Sequence, residues 1–150
     1  MKQQAQQGRK GKMKTVNELL ASPNIHPLLK AKLEAERKNF SCLEDCVLVT
    51  NEVAVVAHSK SDYSSGGGVG RKSFLSIFYL NQVVTQSWTY ADKWSASEDR
   101  RDLMILKIGK TEIKENGSDV SVTAECIPPT SYEPRFVTFS FNKENDDRSN

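Results

Sequence analysis

The sequence lacks any apolar run long enough to cross a membrane as a helix. Its longest mainly apolar stretches, around residues 46–57 and 74–80, are far shorter than the roughly 20 residues that a transmembrane helix needs. Gln and Lys also occupy the opening positions, where a secretory signal peptide would carry an apolar segment. These absences predict an intracellular protein, cytoplasmic or nuclear, that does not bind a membrane.

Cysteine is scarce, and its spacing matches no strong metal-binding motif. Cys42, Cys46 and Cys126 form an odd count in a chain without a secretion signal, so we expect reduced thiols. Together with His58 they would supply four zinc ligands, but one Cys-x3-Cys without a second pair is not a zinc pattern. The sequence therefore predicts no metal site and no cofactor. It leaves open whether these four residues approach one another.

Recognisable catalytic motifs are missing as well. The glycine-rich stretch 66–73 departs from a phosphate-binding loop, because Arg71 separates Gly70 from Lys72 and a strand rather than a helix follows. Adjacent acidic residues are typical of solvated loops here, in Glu44-Asp45, Glu98-Asp99 and Asp146-Asp147. We expect a binding protein rather than an enzyme, and an enzyme with an unmarked site is the least favoured alternative.

Negative charge is absent from the first fourteen residues, whereas five positive charges are present: Lys2, Arg9, Lys10, Lys12 and Lys14. The rest of the chain is slightly acidic, with a net charge of −3 over residues 15–150, and residues 41–150 alone hold 12 basic and 16 acidic residues, a net charge of −4. Residues 1–14 are too polar to bury a core, which predicts a disordered basic tail. Such a tail favours an anionic partner.

Helix signals follow in residues 15–40. Thr15-Val16-Asn17-Glu18 has the form of a capping box, and Ser22-Pro23-Asn24 ends the short helix that it begins. Pro27 suits the first turn of a second helix, which we expect to run to about Asn39.

From residue 46 onward the pattern changes to that of strands. The predicted strands are 46–50, 53–58, 73–80, 83–90, 103–113, 119–127 and 135–141. The first two are either one long bent strand or a tight hairpin across Asn51-Glu52. Segment 73–80 is apolar on both faces, as in a central strand, whereas 119–127 alternates cleanly. Asn116-Gly117 is the strongest hairpin signal, and Asn81-Gln82 also suits a two-residue hairpin turn.

These segments predict one globular domain over residues 15–141, helical in 15–40 and β in 46–141, with a polar C-terminal tail over 142–150. The fold class is mainly β (α+β): two short N-terminal helices, then a six- or seven-stranded antiparallel barrel or sandwich. The order of elements also agrees with an OB-like barrel, although no residue motif marks that fold.

Aromatic residues beside arginines provide the main candidate binding surface. Aromatic rings can stack the bases of single-stranded nucleic acid, while cations contact phosphates. The alternative is that these aromatic side chains are simply part of the core. The predicted nucleic-acid-binding residues are Arg9, Lys10, Lys12, Lys14, Arg71, Lys72, Trp88, Tyr90, Trp94, Arg100 and Arg101.

The sequence thus favours a non-catalytic protein that binds nucleic acid, single-stranded or RNA, through a basic tail and a stacking β-face. A structural or assembly protein is the alternative. A basic arm ahead of a β-sandwich resembles, in outline only, small viral coat proteins, and a sheet edge can also dock a protein partner or a second copy.

Overall fold

The computed structural model describes residues 15–40, 43–62, 69–92, 106–127 and 134–143. Two helices come first, α1 (Val16–Leu20) and α2 (Pro27–Glu36), and a 3₁₀ turn (Arg37–Asn39) continues the second. Seven strands follow: β1 (Leu43–Thr50), β2 (Val53–Asp62), β3 (Val69–Tyr79), β4 (Gln82–Asp92), β5 (Lys107–Asn116), β6 (Asp119–Ile127) and β7 (Arg135–Asn142). No helix in the described ranges is both long and apolar enough to cross a membrane.

Both helices begin where their capping residues predict. Thr15 accepts a hydrogen bond from the Glu18 backbone N–H, and the Glu18 carboxylate accepts from the Thr15 backbone N–H, which completes the capping box. Pro27 occupies the first turn of α2, and Nδ1 of His26 accepts from the Leu28 backbone N–H at 3.1 Å. The prediction of two short N-terminal helices is therefore confirmed, although α2 ends at Glu36 and the 3₁₀ turn occupies the rest of its predicted span.

The first four strands form one antiparallel sheet, sheet 1, in the order β1-β2-β3-β4. The Val-rich segments on either side of Asn51-Glu52 pair with each other, so they form a hairpin and not one bent strand. Residues 73–79 of the predicted segment lie within β3, which pairs with β2 on one side and β4 on the other, and Leu80 begins the turn that follows. The prediction of a central strand there is confirmed.

Strands β5-β6-β7 form a second antiparallel sheet, sheet 2. Along β6 the buried positions alternate with partly exposed ones, in agreement with the period-two pattern. A register shift between Ile108 and Thr111 interrupts the β5–β6 ladder. Within it, a carboxylate oxygen of Glu125 accepts from the Lys110 backbone N–H, and this same oxygen would lie 2.4 Å from a Cβ at Gly109. The bulge therefore needs glycine at this position unless Glu125 moves.

Two apolar clusters place sheet 1 between two other layers. One face of sheet 1 packs against sheet 2, through residues that include Val55, Ile77 and Val122. Its opposite face packs against the helices; that cluster comprises Val16, Leu19, Leu29, Leu33, Cys46, Ala54, Val56 and Phe78. Because β2 and β3 are covered on both faces, their sequences read as continuous apolar runs rather than as alternation.

A buried carboxylate connects the two sheets. Asp45 in β1 is 2% exposed, and its Oδ2 accepts from the backbone N–H of Ile108 in β5 at 2.9 Å. This bond satisfies a backbone donor beside the β5 bulge, where the ladder is interrupted.

The hairpin turns lie one residue away from the positions that the sequence suggests. Tyr79 pairs with Gln82, so the β3–β4 turn is Leu80-Asn81, and Leu80 has φ +53°. Asn116 pairs with Asp119, so the β5–β6 turn is Gly117-Ser118, and Gly117 has φ +66°.

The mainly β fold class with two short helices is confirmed, and the seven described strands form two separate sheets rather than a closed barrel. The OB-like arrangement is not confirmed. Residues 1–14 and 144–150, which contain the predicted tails, lie outside the described residues, whereas Asn142 ends β7 and the backbone N–H of Lys143 donates to Ser118.

Candidate functional site

A pocket of about 400 Å³ opens on the helix-facing side of sheet 1, beyond the end of α2. The end of α2, the 3₁₀ turn and the residue after it form one wall, and strands β2, β3 and β4 form the other. Its lining residues are Glu36, Lys38, Asn39, Phe40, His58, Phe74, Ser76 and Thr85.

Strand pairing brings the sheet residues of this pocket together. His58 pairs with Phe74, and Ser76 pairs with Thr85, so these side chains occupy neighbouring rows on one face. Farther along the same face, Val56 and Phe78 are buried under the helices. The pocket therefore begins where the helical cover of sheet 1 ends.

Three rings, those of His58, Phe74 and Phe40, form a contiguous cluster in this pocket. The His58 ring lies 4.9 Å from Phe74 at an interplanar angle of 17° and 4.9 Å from Phe40 at 57°. Phe40 also meets Phe78 edge-on, at 6.2 Å and 86°. His58 is only 5% exposed, while Phe40 and Phe74 are half-buried and retain surface toward the opening.

Cations and hydroxyls surround the rings. Nζ of Lys72 lies 5.9 Å from the Phe74 ring centroid, within the range of a cation–π contact, and Lys38 is exposed on the opposite wall. The hydroxyls of Ser76 and Thr85 are hydrogen-bonded at 2.7 Å. The pocket thus combines aromatic surface, positive charge and hydroxyl groups.

The Glu36 carboxylate is held in place at the end of α2. Its Oε1 accepts from Nδ2 of Asn39 at 3.0 Å, and its Oε2 lies 3.3 Å from Nζ of Lys32. These two contacts fix the orientation of an acceptor group that lines the pocket.

The sequence prediction reaches this pocket only through Lys72. Arg71, Trp88 and Tyr90 lie in β3 and β4, where the backbone register pairs Arg71 with Tyr90 and Ser73 with Trp88, but their side chains are outside the described set. The other predicted residues lie outside the described ranges: Arg9, Lys10, Lys12, Lys14, Trp94, Arg100 and Arg101. For these residues the prediction stays a prediction.

Two of the three cysteines are described, Cys46 and Cys126, and both are buried. Cys46 belongs to the helix-facing cluster and Cys126 to the cluster between the sheets, so they lie on different sides of sheet 1. Burial raises the pKa of Cys126 to about 12, with a further upward contribution from the charge of Glu125. Cys42 lies outside the described residues, and within the described part of the chain no three His, Cys, Asp or Glu side chains are grouped so as to hold a metal.

The sequence marks His58 only as a disfavoured zinc ligand, and it does not mark Phe40 as a site residue. One signal was present: Phe74 and Ser76 share a face of β3, so a polar group interrupts an apolar row. A serine in this row indicates that another layer does not cover the whole face of the sheet. It does not identify the residues that form the opposite wall of the pocket.

Comparison with known proteins identifies no relative: no family model, no curated protein and no solved structure matches the chain. A function is therefore inferred from the chemistry of the residues themselves.

Proposed function

We propose that this protein binds single-stranded nucleic acid, with RNA as the principal candidate. The basic N-terminal tail contacts phosphates, and the helix-facing side of sheet 1 contributes base stacking. The observation that carries the proposal is the pocket lined by the half-buried rings of Phe40 and Phe74. Lys72 is not in its lining but contacts the Phe74 ring.

Stacking on such rings is a sequence-tolerant way to hold an unpaired base. Each stacked base contributes roughly 1–3 kcal/mol by alanine substitution in single-strand-binding proteins. Phe74 is supported from behind by the nearly parallel His58 ring at 4.9 Å, so it presents a fixed surface. A fixed ring loses little side-chain entropy when a base stacks on it.

The charge distribution supports separate roles for the tail, which attracts phosphate, and for sheet 1, which stacks bases. Because residues 41–150 carry a net charge of −4, long-range attraction to phosphate comes from the tail. Lys38 and Lys72 add local positive charge at the pocket. Trp88, Tyr90, Trp94, Arg100 and Arg101 remain predicted nucleic-acid-binding residues, and an OB-like arrangement of the strands likewise remains a prediction.

The test is a salt titration of the full-length chain with a fluorescent single-stranded RNA of about twelve nucleotides, followed by anisotropy. Changing Arg9, Lys10, Lys12 and Lys14 to Gln should flatten the plot of log affinity against log salt, by about 0.7 for each phosphate that the tail no longer neutralises. Phe74→Leu should lower affinity without changing that slope, because it removes a ring and no charge.

Phe136→Leu is the matched control. Phe136 is 64% exposed on sheet 2, so the same change there should leave RNA binding as in the wild type. Absence of RNA binding at low salt contradicts the proposal, as does wild-type binding by both the tail variant and Phe74→Leu.

The second candidate function is assembly with a second copy of the chain. It is favoured by Phe136 and Ile127, large apolar side chains exposed on neighbouring strands of sheet 2. Light scattering across a concentration series tests it: a Phe136→Ser variant should dissociate an oligomer, and a monomeric wild type at high concentration would exclude it.

A further inference from the structure

The pocket beside α2 carries hydrogen-bonding groups as well as rings, and these groups differ in kind from one wall to the other. The α2 side supplies the Glu36 carboxylate and the Lys38 ammonium, and the β side supplies the Ser76 and Thr85 hydroxyls. Stacking alone does not distinguish bases, whereas hydrogen bonds to base edges do. We propose that this pocket selects guanine among the four bases; the inference rests on the proposed function and specifies the ligand of the same site.

The size of the pocket suits one nucleotide. Its volume of about 400 Å³ falls within the roughly 300–1,000 Å³ typical of small-molecule sites. A base that leaves the strand can enter with its ribose, while its phosphates remain outside near the lysines.

Glu36 determines which base edge is preferred. An ionised carboxylate only accepts hydrogen bonds and has about four lone-pair positions. Asn39 and Lys32 use one position on each oxygen, so acceptor capacity remains on both. A base with two adjacent donors can therefore bind both oxygens at once.

Guanine is the base that offers this pair of donors, on N1 and on the exocyclic N2. Adenine and cytosine place a ring acceptor next to their amino group, and uracil places a carbonyl on each side of its single ring donor. Each of these arrangements would turn a lone pair toward the carboxylate. Guanine therefore makes two attractive contacts with the carboxylate, whereas each of the other three bases makes one attractive and one repulsive contact.

Lys38 complements this choice. Lysine pairs with the O6 and N7 acceptors of guanine, and O6 lies beside the N1 donor. Glu36 and Lys38 line the same wall. Glu36 can therefore accept from the donor edge of guanine while Lys38 donates to its acceptor edge. The rings of Phe40 and Phe74 then contact the faces of the base rather than its edges.

The test uses the full-length chain and uridine heptamers that carry one central guanosine, inosine, adenosine or cytidine, at constant salt. Guanosine should bind about 5- to 150-fold more tightly than adenosine or cytidine, the range for a good bidentate base contact. Inosine, which keeps the N1 donor and lacks the N2 amino group, should bind with intermediate affinity.

Glu36→Gln should abolish the preference for guanosine, because an amide replaces one acceptor oxygen by a donor. Glu34→Gln is the matched control: it makes the same charge change in the same helix, at an exposed residue outside the pocket lining. Lys38→Gln, with Lys30→Gln as its control, should weaken guanosine binding by a smaller factor. Melting temperatures of all variants establish that they are folded.

The outcomes separate this inference from the function on which it rests. If no heptamer binds at low salt, the proposed function is wrong and guanine selection is wrong with it. If all heptamers bind equally, only the selection is wrong. A guanosine preference that survives Glu36→Gln, or that Glu34→Gln also abolishes, would overturn the assignment to this pocket.

Discussion

Sheet 1 and sheet 2 are both antiparallel, yet they are buried in different ways. Sheet 1 has sheet 2 on one face and the helices on the other, whereas β6 in sheet 2 alternates buried and partly exposed residues. On the outer face of sheet 2, polar pairs replace apolar contacts, such as Thr123 with Thr138 at 2.8 Å and Ser121 with Ser140 at 3.1 Å.

The difference shows how the candidate site arises. The helices are shorter than the strands that they cover, so the apolar face of sheet 1 continues past them. Past the helices, Ser76 and Phe74 follow Phe78 along the same face of β3, and the end of α2 provides the second wall of the pocket. A pocket forms at the margin of a three-layer region, whereas the outer face of sheet 2 has polar pairs and no opposing layer in the described part of the chain.

The largest expected effect comes from replacing a phenylalanine by alanine in each sheet, which tests whether the two sheets differ in burial. Phe78→Ala removes a fully buried ring between sheet 1 and the helices, and large-to-small changes of this kind destabilise by about 3–5 kcal/mol. Phe136→Ala removes a ring that is 64% exposed on sheet 2, and we expect a change within about 0.5 kcal/mol. Urea unfolding of both variants measures the difference.

Equal decreases in stability for the two variants would contradict the layered arrangement. A decrease confined to Phe78→Ala would agree with it, and binding measurements on the same variant would show whether the Phe40 wall depends on the edge-on contact with Phe78.

Much of this fold can be read from the sequence, because its signals are local. The capping box at Thr15, the proline at the start of α2 and the alternation along β6 each act within a few residues. The turns shift by one residue because strand register depends on partners as well as on turn chemistry. Leu80 shows this: it is buried, its backbone N–H donates to Glu52, and it accepts a positive φ that its residue type disfavours.

The candidate site is less predictable, since its walls come from distant parts of the chain. The contact between Phe40 and His58 depends on where α2 ends relative to β2, and no local pattern specifies that. Likewise, the Asp45 carboxylate belongs to an acidic pair whose sequence suggests a solvated loop, yet it is buried against β5, where it accepts from a backbone N–H. Lys72 could be predicted because it follows a glycine-rich stretch and carries a charge that suits an anionic ligand.

The second prediction concerns the interior between the sheets, where Cys126 has its pKa raised to about 12 from an ordinary 9.0. Between these values the unfolded chain loses this proton and the folded chain keeps it. The contribution of the protonated Cys126 thiol to the free energy of unfolding is therefore complete below pH 9, and it declines as the pH rises toward 12. The slope is on the order of 1 kcal/mol per pH unit.

Urea unfolding of the wild type and Cys126→Ala at pH 8, 9 and 10 tests this sign. The wild type should lose stability relative to the variant as the pH rises, since the other titrating groups are common to both. A difference between the two chains that stays constant from pH 8 to 10 would show that the thiol is hydrated.

The smallest predicted effect compares the turns of the two sheets. Gly117 has φ +66°, and a Cβ built there meets nothing within 4 Å, so Gly117→Ala carries only the backbone penalty of the left-handed region, about 1 kcal/mol. Gly117→Asn should be less destabilising than Gly117→Ala, because Asn adopts this conformation more readily. At Leu80, which shares the positive φ but is buried among apolar residues, Leu80→Asn should instead destabilise, since the cost of burying an amide outweighs the relief of backbone strain. Thermal unfolding of Gly117→Ala, Gly117→Asn, Leu80→Ala and Leu80→Asn measures this. If Asn is more stable than Ala at both turns, backbone conformation alone governs them.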